Sequence, residues 1–181
     1  MKGRNRQFFK YISIILTNLV LCVLAIIFLL NGLQVEGKVD IILTFGQIAD
    51  IEEHMAQLYC AENWGTIKEE DSYVEQIKNN KVIFHLDELD YSKNLIRIDP
   101  TNMKEDYAIK KLTVLHNGKE LFSLRGKKLV SYFMSFDDVS YTIQNELIEV
   151  HAQTDDSRIF FTNEFSSKIV DSIMKEKMHP L

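Results

Sequence analysis

Side chains able to do chemistry are plentiful in this chain, but they are scattered. Carboxylates come in clusters: Glu52-Glu53, Glu69-Glu70-Asp71, Asp137-Asp138 and Asp155-Asp156. Glycoside hydrolysis needs two carboxyls facing each other across a cleft, and neighbours in sequence do not by themselves face each other. Such runs more often form solvated loops. They also offer oxygen ligands for calcium, yet none has the regular spacing of a calcium loop. The five histidines, His54, His85, His116, His151 and His179, form neither an HExxH pair nor a Cys/His cluster. His85, inside an alternating stretch, reads as a core or face residue; His116, at a turn, reads as solvated. No glycine-rich phosphate loop and no GxSxG elbow is present. The expectation is a chain with no catalytic residues, no metal and no cofactor.

Recognition has better candidates. Trp64, the only tryptophan, lies in a polar stretch with Tyr59, Asn63 and Tyr73 nearby. Aromatic faces stack on sugar rings while polar neighbours reach the hydroxyls, so these four residues form a candidate glycan contact. The alternative is that Trp64 closes the core. Arg97 and Asp99 stand two apart in a strand pattern and therefore share a face, as a salt bridge or as a polar recognition spot. Pro100 ends the ladder and keeps Asp99 extended. The Asp99 carboxylate is then placed to bond the turn at Thr101-Asn102.

The elements that must hold these residues are mostly strands. Val39, Ile41, Leu43 and Phe45 alternate, and Met55–Cys60, Lys81–Leu86 and Leu95–Asp99 follow. Ala61–Asn80 and Asp87–Asn94 read as polar connections. Ile109–Leu115 and Glu120–Leu124 flank Asn117-Gly118, the pair that a type I′ hairpin turn demands. Further strands are expected at Leu129–Met134, Ser140–Ile143, Leu147–Ala152 and Ile159–Thr162. Ser166–Lys177 spaces Ile169, Val170, Ile173 and Met174 as a short amphipathic helix does. The fold expected is all-β, a β-sandwich or jelly roll, closed by a short C-terminal helix.

Ahead of this domain stands a segment of different character. Lys2, Arg4, Arg6 and Lys10 precede Tyr11–Leu30, which carries no charge. About twenty apolar residues span the hydrocarbon core of a bilayer, and flanking cations stay on the cytoplasmic side. The expected organisation is a cytoplasmic basic segment (1–10), one transmembrane helix (11–33) in the plasma (inner) membrane, and an extracytoplasmic domain (34–181). A secretory leader would have a shorter apolar run and a small-x-small site; residues 31–37 offer no Ala-x-Ala. Asn18, Cys22 and Ala25 share a helix face, a candidate contact for another membrane helix. The first ten residues hold four of the 21 basic side chains, leaving 17 against 26 acidic ones and a net charge of −9 outside. That balance argues against nucleic acid as a partner. Cys22 and Cys60 fall on different sides of the span boundary and cannot pair, so Cys60 is expected to be a buried free thiol.

Several stretches resemble an extracytoplasmic β-sandwich module of bacterial membrane proteins of cell-surface polysaccharide synthesis, associated with glycosyltransferases. They are Ala56-Gln57-Leu58-Tyr59, the loop from Trp64-Gly65 to Asp71-Ser72, Leu95-Ile96-Arg97-Ile98-Asp99-Pro100, Ile109-Lys110-Lys111-Leu112 with Asn117-Gly118, and Thr154–Ile159. The likeness runs from Val39 to Phe165, with Ser157 where the module has proline. The chain carries no glycosyltransferase domain, so the resemblance implies an accessory or interaction subunit. Its partner would be a membrane-embedded polytopic protein, glycosyltransferase-like, that does the chemistry. A stand-alone surface carbohydrate-binding module, a homo-oligomer, and an anchored glycan hydrolase are the other readings left open.

Overall fold

The computed structural model describes residues 14–24, 34–35, 37–46, 54–63, 65, 67–87, 89–90, 93, 95–101, 106–134, 139–154 and 157–178. The chain divides into two compact units, Met1–Gln34 and Val35–Leu181. In the first, residues 14–24 are helical (α1). Its apolar side chains are exposed all round the helix, from Val23 at 48% to Ile15 at 67%. Asn18 and Cys22 lie exposed one turn apart, while Ala25 and the rest of the expected span lie outside the described residues. Among the described residues no helix is long and apolar enough to cross a membrane.

The second unit is mostly β-sheet. After β1 (Gln34–Val35), which straddles the boundary, its strands run β2 (Val39–Phe45), β3 (Met55–Ala61), β4 (Ser72–Gln76), β5 (Lys81–Leu86), β6 (Leu89–Asp90) and β7 (Leu95–Asp99). After them come β8 (Tyr107–His116), β9 (Lys119–Leu124), β10 (Val139–Gln144), β11 (Leu147–Ala152) and β12 (Ile159–Phe160). A five-residue helix, α2 (Gly126–Val130), follows β9, and α3 (Asn163–Met178) ends the unit. The larger sheet has the order β10-β11-β8-β2-β5, with β9 also on β8; the smaller has the order β12-β7-β3-β4. Six strands and four is a different division from the eight strands of a jelly roll.

One core joins these parts. Ile41 and Leu43 of β2, Phe84 of β5 and Leu112 of β8 meet Leu58 of β3 and Ile96 and Ile98 of β7. Phe165, Ile169 and Ile173 of α3, all fully buried, complete it. Phe165 is ringed by Phe161, Tyr132 and Phe122 at 4.5, 5.8 and 6.3 Å between centroids. Cys60 is buried in this core, and burial pushes its thiol up to about 12, so it is inert as a nucleophile.

The hairpin forms as its turn residues require, with Asn117 at φ 49° and Gly118 at φ 80°. Three local expectations do not hold, the smallest being Leu89–Asp90, which lies in a stretch read as a connection and is the short strand β6. Ser72–Gln76, inside the stretch read as a connection, is edge strand β4; Val74 is 51% exposed, so the apolar alternation that marks a strand is missing. Leu129–Met134 is not a strand, because α2 turns the chain there and drops Leu129 into the core. Over so few residues a strand and a buried helical turn have the same apolar signature. The C-terminal helix starts three residues earlier than expected, and those residues include its main core anchor, Phe165.

Strand β8 has an unusual set of neighbours. Along one edge it pairs with β2 over its length. Along the other, Tyr107–Ile109 pair with β11 and Leu112–His116 pair with β9. The sheet therefore forks at Lys110 and Lys111, and the register shifts there too: Thr44 faces Lys111 while Phe45 faces Ile109. That extra residue is a β-bulge.

Candidate functional site

The outer face of the smaller sheet gathers the polar candidates. Register places Ser72, Tyr59, Arg97 and Phe160 in one row across β4, β3, β7 and β12. Gln57 and Asp99 pair in the next row on the same face. Arg97, only 9% exposed, donates from Nε to Asp99 Oδ1 at 2.8 Å and from Nη2 to Oδ2 at 2.6 Å. Its guanidinium lies 4.0 Å over the Tyr59 ring and 5.9 Å from that of Phe160.

Below Arg97, the Tyr59 hydroxyl donates to the Glu69 carboxylate, 2.9 Å from each oxygen. Glu69 comes from the 3-10 turn Glu69–Asp71 that leads into β4. Gln57 Nε2 donates to Glu69 Oε2 at 2.9 Å and to Ser72 Oγ at 2.7 Å. Ser72 Oγ in turn donates to the Glu69 backbone carbonyl at 2.7 Å. The result is a continuous network from Asp99 to Ser72.

Titration behaviour follows from this packing. Burial and the Glu69 carboxylate push Tyr59 up to about 12. Donation from Tyr59 and Gln57 holds Glu69 below its ordinary value. Burial raises the Asp99 carboxyl, against the pull of Arg97 and Arg158. Tyr59 is thus too weak an acid to serve as a base at neutral pH, and both Asp99 oxygens are taken by Arg97. The network ties β3, β7 and the turn before β4 to one another.

Part of the expected constellation is brought together here and part is taken apart. Arg97 and Asp99 are the salt bridge, with both carboxylate oxygens accepting from Arg97; Asn102, in the turn expected to meet Asp99, lies outside the described residues. Tyr59 joins them. Tyr73 does not, because it pairs with core residue Leu58 and packs on the opposite face. Asn63, exposed, accepts from the Gly65 backbone N–H at 3.0 Å, and Trp64 lies outside the described residues. Glu69, Gln57 and Ser72 were missed: they become neighbours of Tyr59 only once β4 is paired with β3.

The histidines are mostly taken up by single partners. His85 Nδ1 is 2.7 Å from Asp40, His151 Nδ1 is 2.9 Å from Asp106, and His54 Nδ1 is 3.1 Å from the Thr101 hydroxyl. His116 is not solvated as its turn position suggested. It is buried, its Nδ1 lies 2.9 Å from Glu176 of α3, and its Nε2 receives Asn117 Nδ2 at 3.3 Å. His179 and the clusters Glu52-Glu53, Asp137-Asp138 and Asp155-Asp156 lie outside the described residues. Among the described residues, no three His, Cys, Asp or Glu side chains converge on a metal position.

No family model matches this chain, and no curated protein or solved structure is significantly similar to it.

Proposed function

We propose that the chain is a membrane-anchored, non-catalytic interaction subunit of a cell-envelope glycan assembly system. On this reading residues 11–33 form a single transmembrane helix with residues 1–10 cytoplasmic, and the β-rich unit is an extracytoplasmic β-sandwich module. A polytopic partner, glycosyltransferase-like, carries the chemistry. The observation that carries the proposal is α1: apolar side chains exposed all round a helix have no place in water, and a lipid or helical neighbour would cover them. The apolar sequence continues beyond it through Leu30. The self-satisfied Arg97–Asp99–Tyr59–Glu69 network supports the non-catalytic part, and the glycan context rests on the sequence resemblance alone.

The test is purification of the tagged full-length chain from native membranes in mild detergent, after an alkaline carbonate wash, with mass spectrometry of what remains bound. Retention in the washed membrane together with a stoichiometric polytopic glycosyltransferase supports the proposal. Release by carbonate would sink the anchor. Isolation of the chain alone would favour a stand-alone module, to be tried for glycan binding with and without Trp64→Ala.

A further inference from the structure

The fork in the larger sheet opens a cavity of about 730 Å3, lined by Lys111, Ser123, Arg125, Lys127, Lys128 and the Asn145-Glu146 turn, with Glu120 and Ile143 at its walls. A second cavity of about 520 Å3 adjoins it and shares Arg125, Asn145 and Glu146; it adds Lys110. We propose that this forked groove binds a multiply charged phosphate group. The inference stands on the β-rich unit by itself and does not depend on the membrane anchor.

Three observations carry it. First, five cations line the two cavities in a unit whose net charge is −9. Among the described residues none of the five makes an ion pair within 4.0 Å, although Glu120, Glu146 and Glu149 line the same walls. Converging like charges repel, and among the described residues the three carboxylates on the walls leave an excess of two positive charges. Second, the bulge at the fork sets two consecutive lysines, Lys110 and Lys111, at the mouth of the groove instead of on opposite faces.

Third, the walls are fixed in place. Gly126 has φ +45°, and a Cβ there would stand 2.9 Å from Glu146 Cα, so the turn after β9 and the β10–β11 turn are in close contact. Asn145 and Glu146 both sit at positive φ, 49° and 65°, a conformation that a glutamate adopts only under constraint. The basic groups are therefore presented by backbone that has little freedom to collapse around them. Arg125, common to both cavities, can clasp two oxygens of one group in a fork, and the lysines add point charges around it. The volume exceeds what one phosphate fills, which suits a diphosphate or a phosphate on a larger head group.

The full-length chain in an uncharged detergent is titrated with inorganic pyrophosphate by calorimetry, at two salt concentrations. The expected result is saturable binding that weakens with salt. Arg125→Gln/Lys127→Gln/Lys128→Gln should weaken it by at least about tenfold, the scale of one lost charge-assisted hydrogen bond. Lys175→Gln/Lys177→Gln on α3 removes exposed charge elsewhere and should leave binding unchanged. Arg125→Lys keeps the charge, loses the fork and should fall between. Repeating the titration in phosphatidylcholine nanodiscs, with and without phosphatidic acid, separates the two sources of the group. Competition by the lipid assigns a lipid head group, and its absence assigns a free phosphoanion. No binding of pyrophosphate, or equal binding by the triple variant, would falsify the proposal; so would a preference for a carboxylated oligosaccharide over pyrophosphate.

Discussion

The outer faces of the two sheets solve the same problem in opposite ways. On the smaller sheet, Arg97 is almost fully covered and each of its neighbours is matched: a carboxylate on its fork, a ring beneath it, and Glu69 held by Tyr59 and Gln57. At the fork of the larger sheet, Arg125 and four lysines face an open groove with no ion pair among the described residues. A buried charge that loses its partner is costly, whereas a solvated charge costs little and remains free to bind. Charge alone therefore does not mark a site. The first arrangement fixes strands, and the second leaves attraction unspent.

Substitutions at the two places should separate these roles. The largest effect on stability is expected from Arg97→Ala, which strands the Asp99 carboxylate: about 3 kcal/mol, at the lower end for a buried pair. It is read from the urea midpoint of the full-length chain, and adding Asp99→Ala should recover part of it. Equal losses in the single and double variants would show that packing of the Arg97 stem, not the charge pair, holds the sheet.

Gly126→Ala comes next, at about 1–3 kcal/mol, from positive φ and the approach to Glu146. Unlike Arg97→Ala, it should also lower pyrophosphate affinity, because it spreads the walls of the groove.

Tyr59→Phe removes one charge-assisted hydrogen bond, about 1.5 kcal/mol, and a pH dependence with it. A tyrosine raised to about 12 keeps its proton in the folded state after the unfolded chain has lost it near 10. Its stabilisation is complete below pH 10 and is lost as pH rises to about 12. The alkaline slope of the unfolding midpoint should therefore be shallower in the variant, with absorbance at 295 nm following the phenolate.

At acid pH the same network pulls in two directions. Glu69, with its folded value lowered, contributes stability that is present above its unfolded value and lost as pH falls through the folded one. Asp99, with its folded value raised, has the opposite sign, and protonation relieves it. Glu69→Gln should flatten the acid decline measured by thermal unfolding; an unchanged profile would place that decline elsewhere. The smallest effect is expected from Lys127→Gln/Lys128→Gln, within about 0.5 kcal/mol of the parent in urea. A larger loss would mean that these lysines hold α2 rather than await a ligand.

What could be read from the sequence divides along the same line. Alternation located β2, β5 and β7, and Asn117-Gly118 fixed a hairpin, because each signal lies within a few residues. The pairing of Arg97 with Asp99 was legible for the same reason. Glu69 and Gln57 were not, since they reach Tyr59 through the register of β3 with β4, and β4 shows too little apolar patterning to be noticed. Nor was the cationic groove. Lys110-Lys111, Arg125 to Lys128 and Asn145-Glu146 are unremarkable runs until one strand is seen to pair with two others on the same edge. His116 was misread because its partner, Glu176, arrives from the far end of the chain.

The dependence of β2 on β8 bears on how the chain acquires its structure. The β8–β9 hairpin can close locally within microseconds, but Val39 must find His116, far along the chain. Pairings of such sequence separation slow folding. During synthesis β2 and β5 leave the ribosome well before their central neighbour exists, with apolar edges such as Val39-Asp40-Ile41-Ile42-Leu43 unpaired. The window between those two moments is when this protein is most exposed to aggregation, and when a chaperone has the most to protect.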